Sequence, residues 1–304
     1  MAITRLKHDA LIYDSDQGFV DRMAPFVQAG LAEGAAVVAV TTPANWTGLR
    51  EALGPDAAGV SFTDRDSFYV RPAHSIAEYD ATVGERLGAG ATSVWVIGEV
   101  QFGPTPREWD EWIAYEAIVN RAFAHRAAWI VCPYDARVLP HRVIEHARRT
   151  HPEILNGGRS KSVAYDHPEQ IVRALAPEHD ALPDLRPLPP ADSPQGIREQ
   201  LAAEMAAAGV SAARALNMLL AAQEIVSNTW RHAGGPQMLR VGEVGGRFVC
   251  EISDSGGGYD DPLAGWIPPL PDQKGGTGLW VARQVVSRMD LMSTPRGLTV
   301  RLWL

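Results

Sequence analysis

Residues 175–196 read "LAPEHDALPDLRPLPPADSPQG", and neither a regular helix nor a central strand can run through them. Each proline fixes φ and removes a backbone donor, and the Asp and Ser residues between them favour turns. The stretch shows no helical or strand period, as expected of a flexible linker. The chain must therefore be laid out as two bodies. At 304 residues it is long enough for two cores. The boundaries follow as a first domain over 1–176, a linker over 177–194 and a second domain over 195–304.

The two bodies have different element orders. Upstream, "ALIY", "AAVVAVTT", "VSFTD", "SVWVIGEV" and "AAWIVCPYD" read as strands, with "SVAYD" as one more candidate. Helical patterns lie between them near 15–31, 43–53, 74–88, 106–126 and 137–149. Apolar strands alternating with helices predict an α/β fold with a mostly parallel sheet covered on both faces. Downstream, helices near 195–208 and 211–232 precede the strands "QMLRVGEV" and "RFVCEISD". A helix over about 277–289 and the strand "GLTVRLWL" close the chain. Helices grouped with a mostly antiparallel sheet predict an α+β sandwich.

Composition excludes several classes. An apolar fraction of 46% and a charged fraction of 21% are those of a soluble globular protein. The net charge of −8 argues against a nucleic-acid surface. Cys132 and Cys250, far apart, give no disulfide framework or metal-binding spacing. No apolar run is long enough to span a bilayer, so a cytoplasmic protein is expected.

The chemistry concentrates in the second domain. In "LNMLLAAQEIVSNTWRHAGG", Glu224, Asn228 and His232 recur every four residues, on the helical line begun by Leu216 and Leu220. Polar groups on an apolar stripe need partners, from the core or from a ligand. In "RFVCEISDSGGGYD", strand alternation puts Asp254 on the face of Phe248, Cys250 and Ile252, before a loop whose backbone permits close approach. The same Asp also suits a plain turn cap. In "KGGTGLWVARQVVSRMDL", Gly275, Gly276 and Gly278 open a helix with apolar positions Leu279, Ala282, Val285, Val286 and Met289. Its free amides suit phosphate, with Lys274 nearby, although such an entry is often only structural. A G-x-x-x-x-G-K-[ST] loop is missing.

Taken in order, Glu224-x-x-x-Asn228, Asp254-Ser-Gly256-Gly-Gly258 and Gly276-Thr277-Gly278-Leu279 resemble the GHKL (Bergerat) ATP-binding fold, over roughly 193–304. The resemblance implies ATP and Mg²⁺ as ligands. It places Asn228 on Mg²⁺, Glu224 as general base and Asp254 at the adenine amino group. Gly256 and Gly258 would lie along base and sugar, Gly276, Thr277, Gly278, Leu279 and Lys274 at phosphate, and Thr299 of "RGLTV" beside adenine. His232 matches a recurrent histidine, whose bland reading is packing at the helix end. The short lid between Gly258 and Gly275 is similar to that of the RsbW/SpoIIAB serine-kinase anti-sigma factors, which implies a sigma factor and a STAS-domain antagonist as partners. Bulky Trp230 and Arg231, and a Pro-rich lid with few basic residues, depart from that group. A sequestering protein without phosphotransfer and a sensor histidine kinase are the alternatives. The Pro-rich segment before the domain speaks against the second, since it cannot supply a phospho-accepting hairpin.

The first domain resembles the MEDS sensory domain through "HDALIYDSDQGFVDRMAPFVQAGLAEGAAVVAVTTPANW", "VIGEV", "YEAIVNRAF" and "CPYD". The resemblance implies a RecA/KaiC-like core without its phosphate loop. The whole chain is similar to RsbA-type regulators, with a homodimer implied. A small-molecule or redox site is expected near Glu99, Cys132, Tyr134 and Asp135, with Glu116 and Asn120 on a following helix. The bland reading makes Cys132 a packed thiol beside a turn. His141, His146 and His151, spaced by five, leave any common helical face and read as part of a solvated basic helix.

Overall fold

The computed structural model describes residues 3–177, 180, 182–269 and 276–304, and the chain divides into two compact units, Met1–Leu175 and Ala176–Leu304. In unit one, β1 (Lys7–Tyr13), α1 (Asp16–Ala32), β2 (Ala36–Thr41), α2 (Pro43–Leu53), β3 (Val60–Asp64) and α3 (Arg65–Phe68) come first. Then follow α4 (Pro72–Gly88), β4 (Val94–Gly98), α5 (Pro106–Ala122), β5 (Ala128–Asp135), α6 (His141–Thr150), β6 (Glu153–Leu155), β7 (Arg159–Lys161) and α7 (Pro168–Ala174). The sheet runs β3-β2-β4-β5-β1-β6-β7, parallel except for β7.

Local chemistry sets the helix entries. Ser15 accepts the Gly18 N–H to start α1, Thr42 caps α2, and Thr105 with Glu108 forms a capping box on α5. One face of the sheet packs Leu11, Val37, Trp95 and Val131 against α1 and α2. The other face carries His8, Cys132 and Tyr134 beneath α5 and α6. The "SVAYD" candidate is no strand. The chain there turns, and the extra strands form at 153–155 and 159–161 instead. A hairpin around "NGG" pairs with the sheet edge, whereas Val163 stays fully exposed.

Unit two contains β8 (Arg186–Pro187), α8 (Pro194–Ala207), α9 (Ala212–Ala233), β9 (Met238–Val244), β10 (Arg247–Ser253), α10 (Thr277–Val285), β11 (Arg288–Thr294) and β12 (Gly297–Trp303). Its antiparallel sheet has the order β11-β12-β10-β9-β8. Phe248, Cys250 and Ile252 of β10 face the core with Leu201, Met205, Ala222, Ile225 and Val226, as alternation predicts. The last helix is shorter than expected. Val286 is already extended, and Met289 lies on β11, where pairing with β12 overrides the helical reading of the same apolar spacing. Leu216 and Leu220 are exposed; the buried arc of α9 runs through Met218, Ala221, Ala222, Ile225, Val226 and Thr229. The polar line of Glu224 and Asn228 therefore borders the core rather than continuing it.

The segment read as a flexible linker is partly docked. Leu185 and Leu188 are buried, and β8 pairs with β9. Arg240 donates to the Leu182 and Leu185 carbonyls, and Arg301 to the Asp180 carbonyl. Both guanidiniums also reach Glu251, Arg301 at 2.6 Å and Arg240 at 3.1 Å. Gly242 permits the approach: a Cβ there would stand 2.4 Å from the Asp184 carbonyl oxygen. Prolines remove donors, so this strand belongs at an edge. Because Glu251 is 3% exposed and Arg301 4%, Glu251→Leu strands two guanidiniums and should cost about 3–5 kcal/mol in chemical denaturation of the full chain. Adding Arg240→Met and Arg301→Met should restore most of that loss.

Candidate functional site

Helix α9 carries Glu224 and Asn228, both half-buried, and brings Glu224 to the entry of α10. Among the described residues, neither side chain has a hydrogen-bond partner in the protein. Gly276 precedes α10 with φ +83, and among the described residues no side-chain hydrogen bond caps that start, which leaves first-turn amides for a ligand. Gly278 brings this turn onto the carboxylate: a Cβ at Gly278 would lie 2.6 Å from Glu224 Oε2. Thr277 is exposed in the same turn, and Leu279 packs on the core. Lys274 and Gly275 lie outside the described residues.

Asp254 leaves the end of β10. Its Oδ1 accepts the Gly256 N–H at 3.0 Å and the Leu298 N–H at 3.2 Å, which fixes the carboxyl while Oδ2 stays available. The turn-cap reading is thus correct for one oxygen and leaves the other for a ligand. Gly256 sits against Ala233 at the end of α9, and a Cβ at Gly258 would meet the Thr294 carbonyl at 2.2 Å. Thr299 is paired with Ser253 across the strands, their hydroxyls 3.0 Å apart beside Asp254. Gly297, absent from the sequence-based set, is equally constrained, since a Cβ there would fall 1.9 Å from the Asp254 carbonyl oxygen. His232 is exposed rather than packed. The lid base is held by Arg283, whose guanidinium lies 4.1 Å from the Trp266 ring centroid and donates to the Met289 carbonyl.

The expected sensory residues of unit one separate into three places. Glu99 follows β4, where the crossovers from β2 and β4 leave toward opposite faces, the usual crevice of such sheets. It is internally satisfied. Thr41 Oγ1, the Thr42 N–H, Asn45 Nδ2 and Arg65 all donate to it, with Tyr13 Oη at 3.5 Å. Asp135, at the end of β5, is gripped by Arg137, which holds its carboxyl below the ordinary carboxylate range. Cys132 and Tyr134 face the other way, into the layer under α5 and α6.

There Cys132 meets residues distant in sequence. Its Sγ is 3.4 Å from His8 Nε2 and 3.5 Å from Glu116 Oε2. Glu116 Oε2 is also 3.3 Å from His8 Nε2 and 3.5 Å from His151 Nε2. All four residues are buried. The bland reading of His151 as a solvated helix residue is overturned, because it follows α6 and turns inward with no exposed surface. Burial first, and Glu116 next, push the Cys132 thiol up, while burial and the nearby His8 push His151 down. Glu116 and Asn120 were legible as neighbours of the site; His8 and His151 were not, since nothing in their spacing links them to Cys132.

Residues 7–152 match the MEDS family model, described as the methanogen/methylotroph DcmR sensory domain, and residues 187–304 match the histidine kinase-like ATPase domain. The chain joins a MEDS domain to a histidine kinase-like ATPase domain. That arrangement is consistent with an RsbA-type protein, and the second domain implies ATP binding. No curated protein matches the chain. No helix among the described residues is long and apolar enough to cross a membrane.

In the MEDS domain, His141 is exposed while His146 is half-buried. Burial, reinforced by Arg149 and Arg142, lowers the His146 pKa from 6.5 to about 4. A histidine held neutral in the fold binds fewer protons than in the unfolded chain, so its contribution is present above the unfolded value and lost as pH falls from 6.5 toward 4. Thermal unfolding followed from pH 7 down to about 4 should show a shallower loss of Tm in His146→Gln than in the wild type.

Proposed function

We propose that the chain is a signalling regulator whose ATPase-like domain binds Mg-ATP and phosphorylates Ser or Thr on a STAS-domain antagonist, sequestering a sigma factor when the antagonist is phosphorylated. The observation that carries this reading is the packing of the Glu224 carboxylate against the glycine-opened turn of α10. Glu224, without a partner among the described residues, lies against the glycine-opened turn of α10, Asn228 stands one turn further along α9, and Asp254 is held by one oxygen beside Thr299.

Each group has a chemical task in this reading. The amides at Gly276–Leu279 bind phosphate oxygens through the helix N-terminus. Asn228 and Glu224, one turn apart on α9, offer hard oxygen donors, which fits Mg²⁺, and Asn228 would hold it. The ion supplies neutralisation of phosphate charge when bound. Glu224 takes the proton from the attacking hydroxyl, which requires it ionised and free of an internal partner. The unused Asp254 oxygen accepts from the adenine amino group. A RecA/KaiC-like ancestry of the MEDS sheet and a cytoplasmic setting belong to the same reading. So does control of the ATPase-like domain by the sensory domain, and so does a homodimer.

Intact-mass measurement of a STAS-domain antagonist incubated with the full chain and Mg-ATP tests the proposal. The expected result is one added phosphate, lost in Glu224→Gln although that variant still binds ATP. Asp254→Asn keeps the turn acceptor and should weaken ATP about 10–100-fold by losing one charge-assisted hydrogen bond. Absence of phosphate on every antagonist tried, with ATP bound, would leave a sequestering protein. Phosphate on a histidine of the chain itself would make it a histidine kinase.

A further inference from the structure

We propose that His8, Glu116, Cys132 and His151 form a closed metal centre in the MEDS domain, built for Zn²⁺ or a similar late first-row divalent cation. The four donor atoms lie within 4.8 Å of one another. Their closest separations are 3.3, 3.4, 3.5 and 3.5 Å. Zinc bonds of about 2.0–2.3 Å in a tetrahedron require ligand edges of about 3.3–3.6 Å. Four of the six edges already have that length, and the two from His151 to His8 and Cys132, within 4.8 Å, need only a small inward movement.

The surrounding hydrogen bonds direct lone pairs, not protons, into the centre. Asn120 Nδ2 donates to the carbonyls of Glu116, Ala117 and Thr150, which turns Asn120 Oδ1 toward His8 at 3.1 Å. His8 must then carry its proton on Nδ1, leaving a bare Nε2 beside Cys132. His151 Nδ1 is likewise spent on the Ala147 carbonyl at 2.9 Å, with the Thr150 hydroxyl equally close. His151 Nε2 therefore also points in as an acceptor. Ordering metal-binding imidazoles through their second nitrogen is the ordinary function of such outer partners.

Without a cation this arrangement is costly. Glu116 Oε1 and His151 Nε2 are buried with no hydrogen-bond partner. A carboxylate and two imidazole lone pairs face one another out of water, where unpaired polar groups are expensive. A proton on His8 Nε2 would satisfy one edge and leave His151 Nε2 as it is. A divalent cation satisfies the donors together and ionises the thiol, releasing its proton to solvent. Two nitrogens, one sulfur and one oxygen suit zinc better than the oxygen-seeking Mg²⁺ or Ca²⁺. With all four positions filled by protein, the centre is structural, tying β1, α5, β5 and the end of α6 together.

The test is metal analysis of tag-free full chain, followed by Co²⁺ loading of chelator-stripped protein. The expected result is about one metal per chain, with a thiolate-to-cobalt charge-transfer band and the intense visible bands of four-coordinate Co²⁺. Cys132→Ser should abolish the charge-transfer band, while Cys250→Ala in the other domain retains it. Asn120→Ala should weaken affinity about 10–100-fold with the ligands intact. Should Cys132→Ser fail to fold, the wild-type spectrum alone still reports thiolate ligation. A wild-type chain that carries no metal and shows no cobalt bands after loading overturns the proposal. So does a charge-transfer band that vanishes with Cys250→Ala instead.

Discussion

A polar group taken out of water must find a partner, and that constraint organises both units of this protein. Glu99 and Glu251 meet it internally. The first gathers hydroxyl, amide and guanidinium donors at the carboxyl ends of β2, β3 and β4. The second holds two arginines that in turn hold the chain entering the ATPase-like domain. Among the described residues the constraint is left open at Glu224 and Asn228 and again at Glu116 and His151, and these are the places where a ligand is proposed.

The two open sites differ in character. The proposed nucleotide site lies at the border of the core, on half-buried positions next to the glycine-opened start of α10. Its donors remain accessible, as a site that exchanges substrate requires. The MEDS cluster is wholly buried and reinforced by a second layer of hydrogen bonds through Asn120 and Ala147. A group bound there is held by four elements and exchanges only when they part. Accessibility fits ligand exchange in one domain, and enclosure fits architecture in the other.

Glycine has a positional function in both the site and its support. At Gly278 and Gly297 the missing side chain lets α10 reach Glu224 and lets β12 reach Asp254. At Gly242 it admits the chain that covers the outer face of the sheet. Replacement at any of these three would drive apart elements that the motif residues need together.

The sequence by itself determined the division into an α/β and an α+β unit, because strand and helix periods change on either side of a proline-rich stretch. It also determined the order of the nucleotide motifs, since Glu224 to Asn228, Asp254 to Gly258 and Gly276 to Leu279 are each local patterns whose spacing carries their geometry. Tertiary structure alone decided the rest. Arg288 to Thr294 became a strand because β12 offered it a partner, and Arg186 and Pro187 became part of the sheet because β9 paired with them while Arg240 held the Leu185 carbonyl. The cluster of His8, Glu116, Cys132 and His151 brings together residues up to 143 positions apart, a separation that follows from their numbering. No local period encodes such a meeting. It exists because parallel β1 and β5 place residues 8 and 132 on one face, beneath two helices that the sheet order brings back over them.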